Sequence, residues 1–307
     1  MTFIALLVKE LRLRMRRERT IWLIVLYILF MGLIGWFFIS RFSNFNGSGN
    51  ITLNDIGTYL YMLLSIVQLF LIIFITPAFT ATAVNGEKER QTFDLLLCSR
   101  ISAFSLVAGK LVAGLVNALL LIAASIPLFS LVFFFGGISP FQIMSALLVF
   151  ISTTLIIGTF SLFCSTLLTR TAVSTSVAYM ASVLWMVMPL ILFTTIYSSG
   201  NWFQLFSSAG LLQSPLFSSQ PSPLLLWNPL LALVNTYPIG SSMGKYAFHG
   251  LHLSPWLAYI ILNLIASVLF FLLSVYITRL PTPLRLLGRR KLVTQNTPSA
   301  NASQHMV

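Results

Sequence analysis

The sequence predicts an all-α polytopic membrane protein. It has six transmembrane helices with both termini inside, an amphipathic interfacial helix before the first span, and short outer-leaflet helices before the last. Three observations carry this reading. Of 307 residues, 57% are hydrophobic and only 8% are charged, whereas a soluble domain carries about 25% charged residues. The apolar residues gather in six runs, each near or above the ~20 residues that cross a bilayer core. The basic residues cluster at alternate ends of those runs, as they do around membrane spans.

The elements follow in order. In residues 1–20, Ile4, Leu7, Val8, Leu11 and Met15 recur at helical spacing, while Lys9, Arg12, Arg16 and Arg19 fall mostly on another face. Such a helix lies in the headgroup plane; the same charges also serve a flank that only sets topology. The spans are expected at 21–39, 59–84, 104–135, 141–168, 172–197 and 255–278, and none contains Asp or Glu. The first is too long for a signal-peptide core and lacks a small-residue cleavage site, so it is expected to be retained. Lys110 sits near one end of the third span, where it can snorkel to the interface. With the amino terminus inside, 16 of the 18 Lys and Arg residues fall on the cytoplasmic side, leaving Arg41 and Lys245 outside. Residues 136–140 read as a tight outer turn. Segment 198–254 is long and apolar but too interrupted to cross, so short helices dipping into the outer leaflet suit it. The tail, 279–307, is basic and then polar, and its end is expected to be disordered.

The net charge of +12 points away from nucleic acid, because the charges flank apolar runs and anionic lipid headgroups meet them there. Cys98 and Cys164 give neither a disulfide framework nor metal spacing and read as packing residues. No phosphate-loop motif is present. His249 and His252 share a helical spacing but have no acidic neighbour, so no metal site is expected. No catalytic site is expected either, since no His–carboxylate pair activates a hydroxyl. Ion-driven carriers usually place ionisable groups at membrane depth, and these spans hold no carboxylate. Ser152, Thr153 and Thr159 in the fourth span, with Ser174 and Thr175 in the fifth, serve helix packing, a dimer contact or a substrate path. Pro127 and Pro189 are expected to kink their helices.

Segment 87–110 is the most informative. It holds three of the six acidic residues between two apolar runs, so the cluster is expected to face water. As a short helix over 87–97, it places Phe93, Leu96 and Leu97 on one face. Arg90 and Asp94 form an i, i+4 pair worth about 0.2–0.5 kcal/mol. Asn85 and Gly86 let the chain leave the second span and turn. The segment reads either as a solvated loop or as an amphipathic helix that passes motion from a soluble partner into the spans.

Glu87, Glu89, Thr92, Asp94, Leu96 and Leu97, followed by Ser99, Ser102 and Gly109-Lys110, resemble the loop after the second span in type-2 ATP-binding-cassette (ABC) transporter permeases. The six spans, the basic amino-terminal helix and Asn228-Pro229 resemble that family too. Gln91 stands where the family usually has Gly, and Arg100 where it has Pro, which moves the expected helix boundary. The resemblance implies the membrane-spanning permease subunit of an exporter, in the cell (plasma or inner) membrane. It implies a second permease subunit, identical or different, and cytoplasmic ATPase subunits. The cofactors ATP and Mg would sit on the ATPase, with none in this chain. The coupling contact would comprise Glu87, Lys88, Glu89, Arg90, Thr92, Phe93, Asp94, Leu96 and Leu97 within 85–103. An ion-driven carrier and a non-transporting assembly protein are the alternatives.

Overall fold

A computed structural model describes residues 18–44, 53–89, 102–197, 227–237, 246–248 and 251–279. In chain order the elements are α1 (Glu18–Asn44), α2 (Leu53–Thr80), α3 (Asn85–Glu89), α4 (Ala103–Phe135), α5 (Pro140–Leu167), α6 (Thr171–Tyr197), α7 (Pro229–Val234), β1 (Tyr246–Phe248), β2 (Leu251–Leu253) and α8 (Pro255–Arg279). Six helices (α1, α2, α4, α5, α6 and α8) are long and apolar enough to cross a membrane. They begin and end within a few residues of the expected spans, except that α2 starts six residues early. Lipid-facing composition is plain in α1, whose Trp22, Leu26, Phe30, Leu33, Trp36 and Phe37 are exposed.

Helix α5 is the axis of the bundle. It packs against α8 most extensively, and also against α2, α4, α6 and α7. In its most apolar window 67% of residues are buried, against 11% for α1, so α5 forms the core and α1 the rim. Its buried face is rich in small and hydroxyl residues, including Ser145, Ala146, Ser152, Thr153, Gly158, Ser161 and Ser165. Such residues let neighbouring backbones approach where lipid offers no hydrophobic drive. The same logic fixes Gly114 on α4, where an added Cβ would lie 2.7 Å from Thr80 Cγ2.

The outer turn between α4 and α5 follows local chemistry. Gly136 and Gly137 take φ of 82° and 83°, a region that favours glycine. The Ser139 N–H donates to Gln142 Oε1 at 2.8 Å, and Pro140 occupies the first helical position, where its missing N–H costs nothing.

Segment 198–254 is described only at 227–237, 246–248 and 251–254. One short helix, α7, precedes the last span, the stretch 202–206 lies outside the described residues, and the strands β1 and β2 pair antiparallel, Tyr246 with Leu253 and Phe248 with Leu251. His252 sits in a strand, and His249, with which it was read as sharing a helical spacing, lies outside the described residues. A third proline, Pro77, also lies inside a spanning helix, α2.

Asn228 seats α7. Its Oδ1 accepts from the N–H groups of Leu230 at 2.8 Å and Leu231 at 3.4 Å, with Pro229 at the first helical position. Its Nδ2 donates to the Met186 carbonyl of α6 at 2.8 Å. One side chain thus caps α7 and ties it to α6. Asn228→Ala is expected to destabilise the protein by about 1–3 kcal/mol. Asn228→Ser, which keeps the cap but is too short for Met186, should fall between. Unfolding titrations in detergent micelles measure the order, and an Ala variant as stable as the parent contradicts it.

Candidate functional site

The chain leaves α2 through a turn at 81–84, with Ala81 N–H donating to the Pro77 carbonyl at 2.9 Å, and re-enters helix at Asn85. Of the residues expected to form the coupling contact, Glu87, Lys88 and Glu89 are described. Arg90, Thr92, Phe93, Asp94, Leu96 and Leu97 lie outside the described residues, as do Lys9, Arg12 and Arg16. Arg19 falls in the first turn of α1. The three described side chains reach three different helices.

Lys88 caps the end of α5. Its Nζ donates to the carbonyls of Ser165 at 3.2 Å, Leu168 at 3.3 Å and Thr166. These oxygens form the negative end of the helix dipole, and a helix end leaves four carbonyls without partners. No glycine follows α5 to close it, because Leu168 at its end is extended, with φ −89° and ψ 154°. A cation from elsewhere does the work.

Glu89 caps the start of α6. Its Oε1 accepts from the Thr171 N–H at 2.7 Å and the Thr171 hydroxyl at 2.9 Å. The residue before α6 is Arg170, which carries no acceptor, so the helix cannot supply its own cap. The Thr171 N–H, and then its hydroxyl, hold the Glu89 carboxyl below its ordinary value of 4.5. Adjacent residues of opposite charge therefore meet adjacent helix ends of opposite dipole, across the three-residue turn 168–170.

Glu87 turns to α4, where its Oε1 lies 2.6 Å from Lys110 Nζ. Lys110 is 7% exposed and Glu87 26%. Lys110, read as able to snorkel to the interface, is buried and paired with the carboxylate of Glu87 on α3. The charged cluster as a whole was expected to face water, and Glu89 is exposed while Glu87 and Lys88 are half-buried. Removing one partner from a buried pair costs about 3–5 kcal/mol, and less here because Glu87 keeps contact with solvent.

Neutral groups complete the joint. Ser165 Oγ accepts from the N–H groups of Val84 and Asn85, each at 3.1 Å. The Asn85 amide is fully buried, and the orientation that satisfies it turns its nitrogen toward the Ser165 and Leu168 carbonyls. Ser174 donates to the Ala81 carbonyl at 3.1 Å. Ser165 and Thr171 were not singled out in the sequence; their only local signal is their place beside the short polar break between two apolar runs.

Of the hydroxyls read as packing, path or dimer residues, Thr153, Thr159, Ser174 and Thr175 are engaged within the chain. Thr153 contacts the Tyr259 hydroxyl at 2.8 Å, joining α5 to α8. Thr159 donates to Leu155 and Thr175 to Thr171, each within its own helix. Ser152 is buried, and its Oγ has no partner among the described residues. No cluster of metal-ligating side chains exists among the described residues.

Two predictions follow from the caps. Lys88→Met keeps the aliphatic stem but strands three carbonyls, and should cost about 1–3 kcal/mol of stability in micelles; no change would show that the ammonium is not the cap. Glu89, whose carboxyl is held low, contributes stability that is present above its ordinary value and is lost as pH falls through the lower folded value. Melting measured from about pH 6 to about pH 3 should fall more steeply for the parent than for Glu89→Gln, which can still accept from Thr171 but does not titrate in this range. Parallel curves would contradict the assignment.

Comparison with known protein families matches residues 4–278 to the ABC-2 family transporter proteins. A search of curated proteins returns no match. The matched region takes in all six apolar helices and the joint built on α3. Members of the family are membrane subunits without an ATPase domain of their own and generally work with a cytoplasmic ABC ATPase. The chain belongs to the ABC-2 transporter family, and is a multi-pass membrane permease of an ABC transporter.

Proposed function

We propose that this permease is the spanning subunit of an exporter, driven by ATP hydrolysed on a separate cytoplasmic ATPase and coupled to it through residues 85–103. The observation that carries the reading is the α3 joint. Three consecutive side chains fasten it to α4, to the end of α5 and to the start of α6. A push on the adjoining charged loop enters three spanning helices at once, and α5 touches most of the others. The end of the bundle that carries α3 faces the cytoplasm, because 16 of 18 basic residues then lie inside. Both termini lie on that side. Residues 1–20 brace the same interface from the headgroup plane, 21–278 form the spanning unit, and 279–307 form a basic tail. ATP and Mg bind the ATPase, and two permease subunits complete the transporter. Export, rather than import, rests on the family resemblance.

Glu87 and Glu89 hold helices together, so reversing them disturbs the fold as well as the contact. Arg90→Glu with Asp94→Lys tests the contact without touching those bonds. In vesicles holding permease and ATPase, this variant should lose transport about tenfold or more, the equivalent of at least 1.4 kcal/mol at the interface, with melting unchanged. Unaltered co-purification and transport would remove the loop from the coupling path. Transport by the chain alone, given only an ion gradient, would instead establish a carrier. Cys placed at Glu89 should be labelled in inverted vesicles and not from outside intact cells.

A further inference from the structure

Helix α1 meets the bundle along a narrow seam, where Tyr27, Met31 and Gly35 are buried at i, i+4 and i+8. On one flank of that seam Phe30, Leu33, Ile34, Phe37, Phe38 and Arg41 share a stripe, at i, i+3, i+4, i+7, i+8 and i+11. With Leu63 of α2 they line an open groove of about 520 Å³. The groove walls are apolar throughout, so Arg41 lends its aliphatic stem and keeps its charge at the mouth. Its guanidinium lies over the Phe37 ring, 5.3 Å from the centroid, which restrains the cation above the groove. No carboxylate pairs with Arg41 among the described residues. The apolar span of α1 runs from Trp22 to Arg41, so Phe30 lies near its middle and Arg41 at its end. From Phe30 to Arg41 the helix rises about 16 Å, close to half of the ~30 Å hydrocarbon core.

We infer that this groove binds one anionic phospholipid from the leaflet opposite the α3 joint, with an acyl chain along α1 and the phosphate on Arg41. The groove is one leaflet deep, apolar along its length and topped by a cation at headgroup level. That is the order of groups in such a lipid. A guanidinium meets phosphate oxygens with two parallel N–H bonds, so the headgroup is held in one place and the chain below it is aligned. An anionic headgroup suits the site better than a zwitterionic one, whose ammonium offsets the phosphate. On the topology proposed above this leaflet is the outer one, where Arg41 and Lys245 are the two basic residues. A general excess of positive charge therefore does not draw the lipid there. The consequence is mechanical: α1 shares little surface with the bundle, and a lipid wedged between α1 and α2 braces it.

Native mass spectrometry tests this, with the full chain released from lipid-free micelles and titrated with phosphatidylglycerol or phosphatidylcholine of matched chains. The parent should bind its first phosphatidylglycerol about fivefold more tightly than phosphatidylcholine. Arg41→Gln should lose that margin, while Arg170→Gln, which removes an exposed cation from the opposite end, should keep it. Leu63→Trp, which fills the groove, should weaken binding of both lipids several-fold. Melting of each variant in lipid-free micelles shows that it is folded. Equal affinity of the parent for the two lipids, or a margin retained in Arg41→Gln, would overturn the inference. So would unchanged binding in a folded Leu63→Trp, since no chain would then enter the groove. A dimer that Leu63→Trp dissociates without altering lipid binding would give the groove to a second copy instead.

Discussion

The turn between α5 and α6 leaves backbone groups that nothing within it can satisfy, and much of the inner end of the bundle depends on that constraint. Residues 168–170 contain no glycine to close α5, and their one hydroxyl residue, Thr169, stands a position before the start of α6, which Arg170 holds. Unpartnered backbone groups are costly where they are shielded from water, as the part-buried carbonyls at the end of α5 are, whereas the Thr171 N–H lies at the surface. The caps are therefore borrowed. Lys88 goes to the negative helix end and Glu89 to the positive one, so the order Lys-then-Glu is dictated by the order of the two helices. Once that pair is seated, Asn85 and Val84 are brought against Ser165, and the path of the chain out of α2 is set.

The joint is attached where displacement travels furthest. Helix α5 carries it to α8 through the Thr153–Tyr259 contact and the edge-to-face pair of Phe160 and Phe270, 5.3 Å apart. It carries it to α2 through Gln142, whose carbonyl accepts from the Tyr61 hydroxyl at 2.9 Å. Helix α6 relays to α7 through the Met186 carbonyl and Asn228. Helix α1, by contrast, meets this framework only along its seam, and most of its surface is left to lipid. The subunit is stiff along α5 and loosely held at α1.

The sequence exposed the spans and concealed the joint, for separate physical reasons. Apolar runs signal spanning helices by composition alone, so 141–168 and 255–278 fall within a residue of Pro140–Leu167 and Pro255–Arg279. The caps involve partners about 80 positions away, as Lys88 and Ser165 are at 77, and no local pattern encodes them. Lys110 illustrates the cost: near a span end, an isolated lysine reads as snorkelling, and only the fold brings Glu87 to it. The hairpin was legible in part, since Tyr246, Phe248, Leu251 and Leu253 alternate around His249-Gly250, but six residues in an apolar loop are a weak signal. Ser139-Pro140 followed by Gln142 likewise marks a helix start that reads at first as only a turn.

The length of α3 decides how a push passes through it. Its described part is five residues, far below the roughly 12–15 at which an isolated helix becomes even marginal in water. It persists because it is docked at three points, two of them helix ends whose own backbone needs the contact. Releasing α3 would strand part-buried carbonyls on α5, give up the cap on α6 and break a half-buried ion pair to α4. Sliding α3 over the helices is therefore costlier than moving the three helix ends with it. On the coupling proposed above, a force reaching α3 would move the attached ends of α4, α5 and α6 with it.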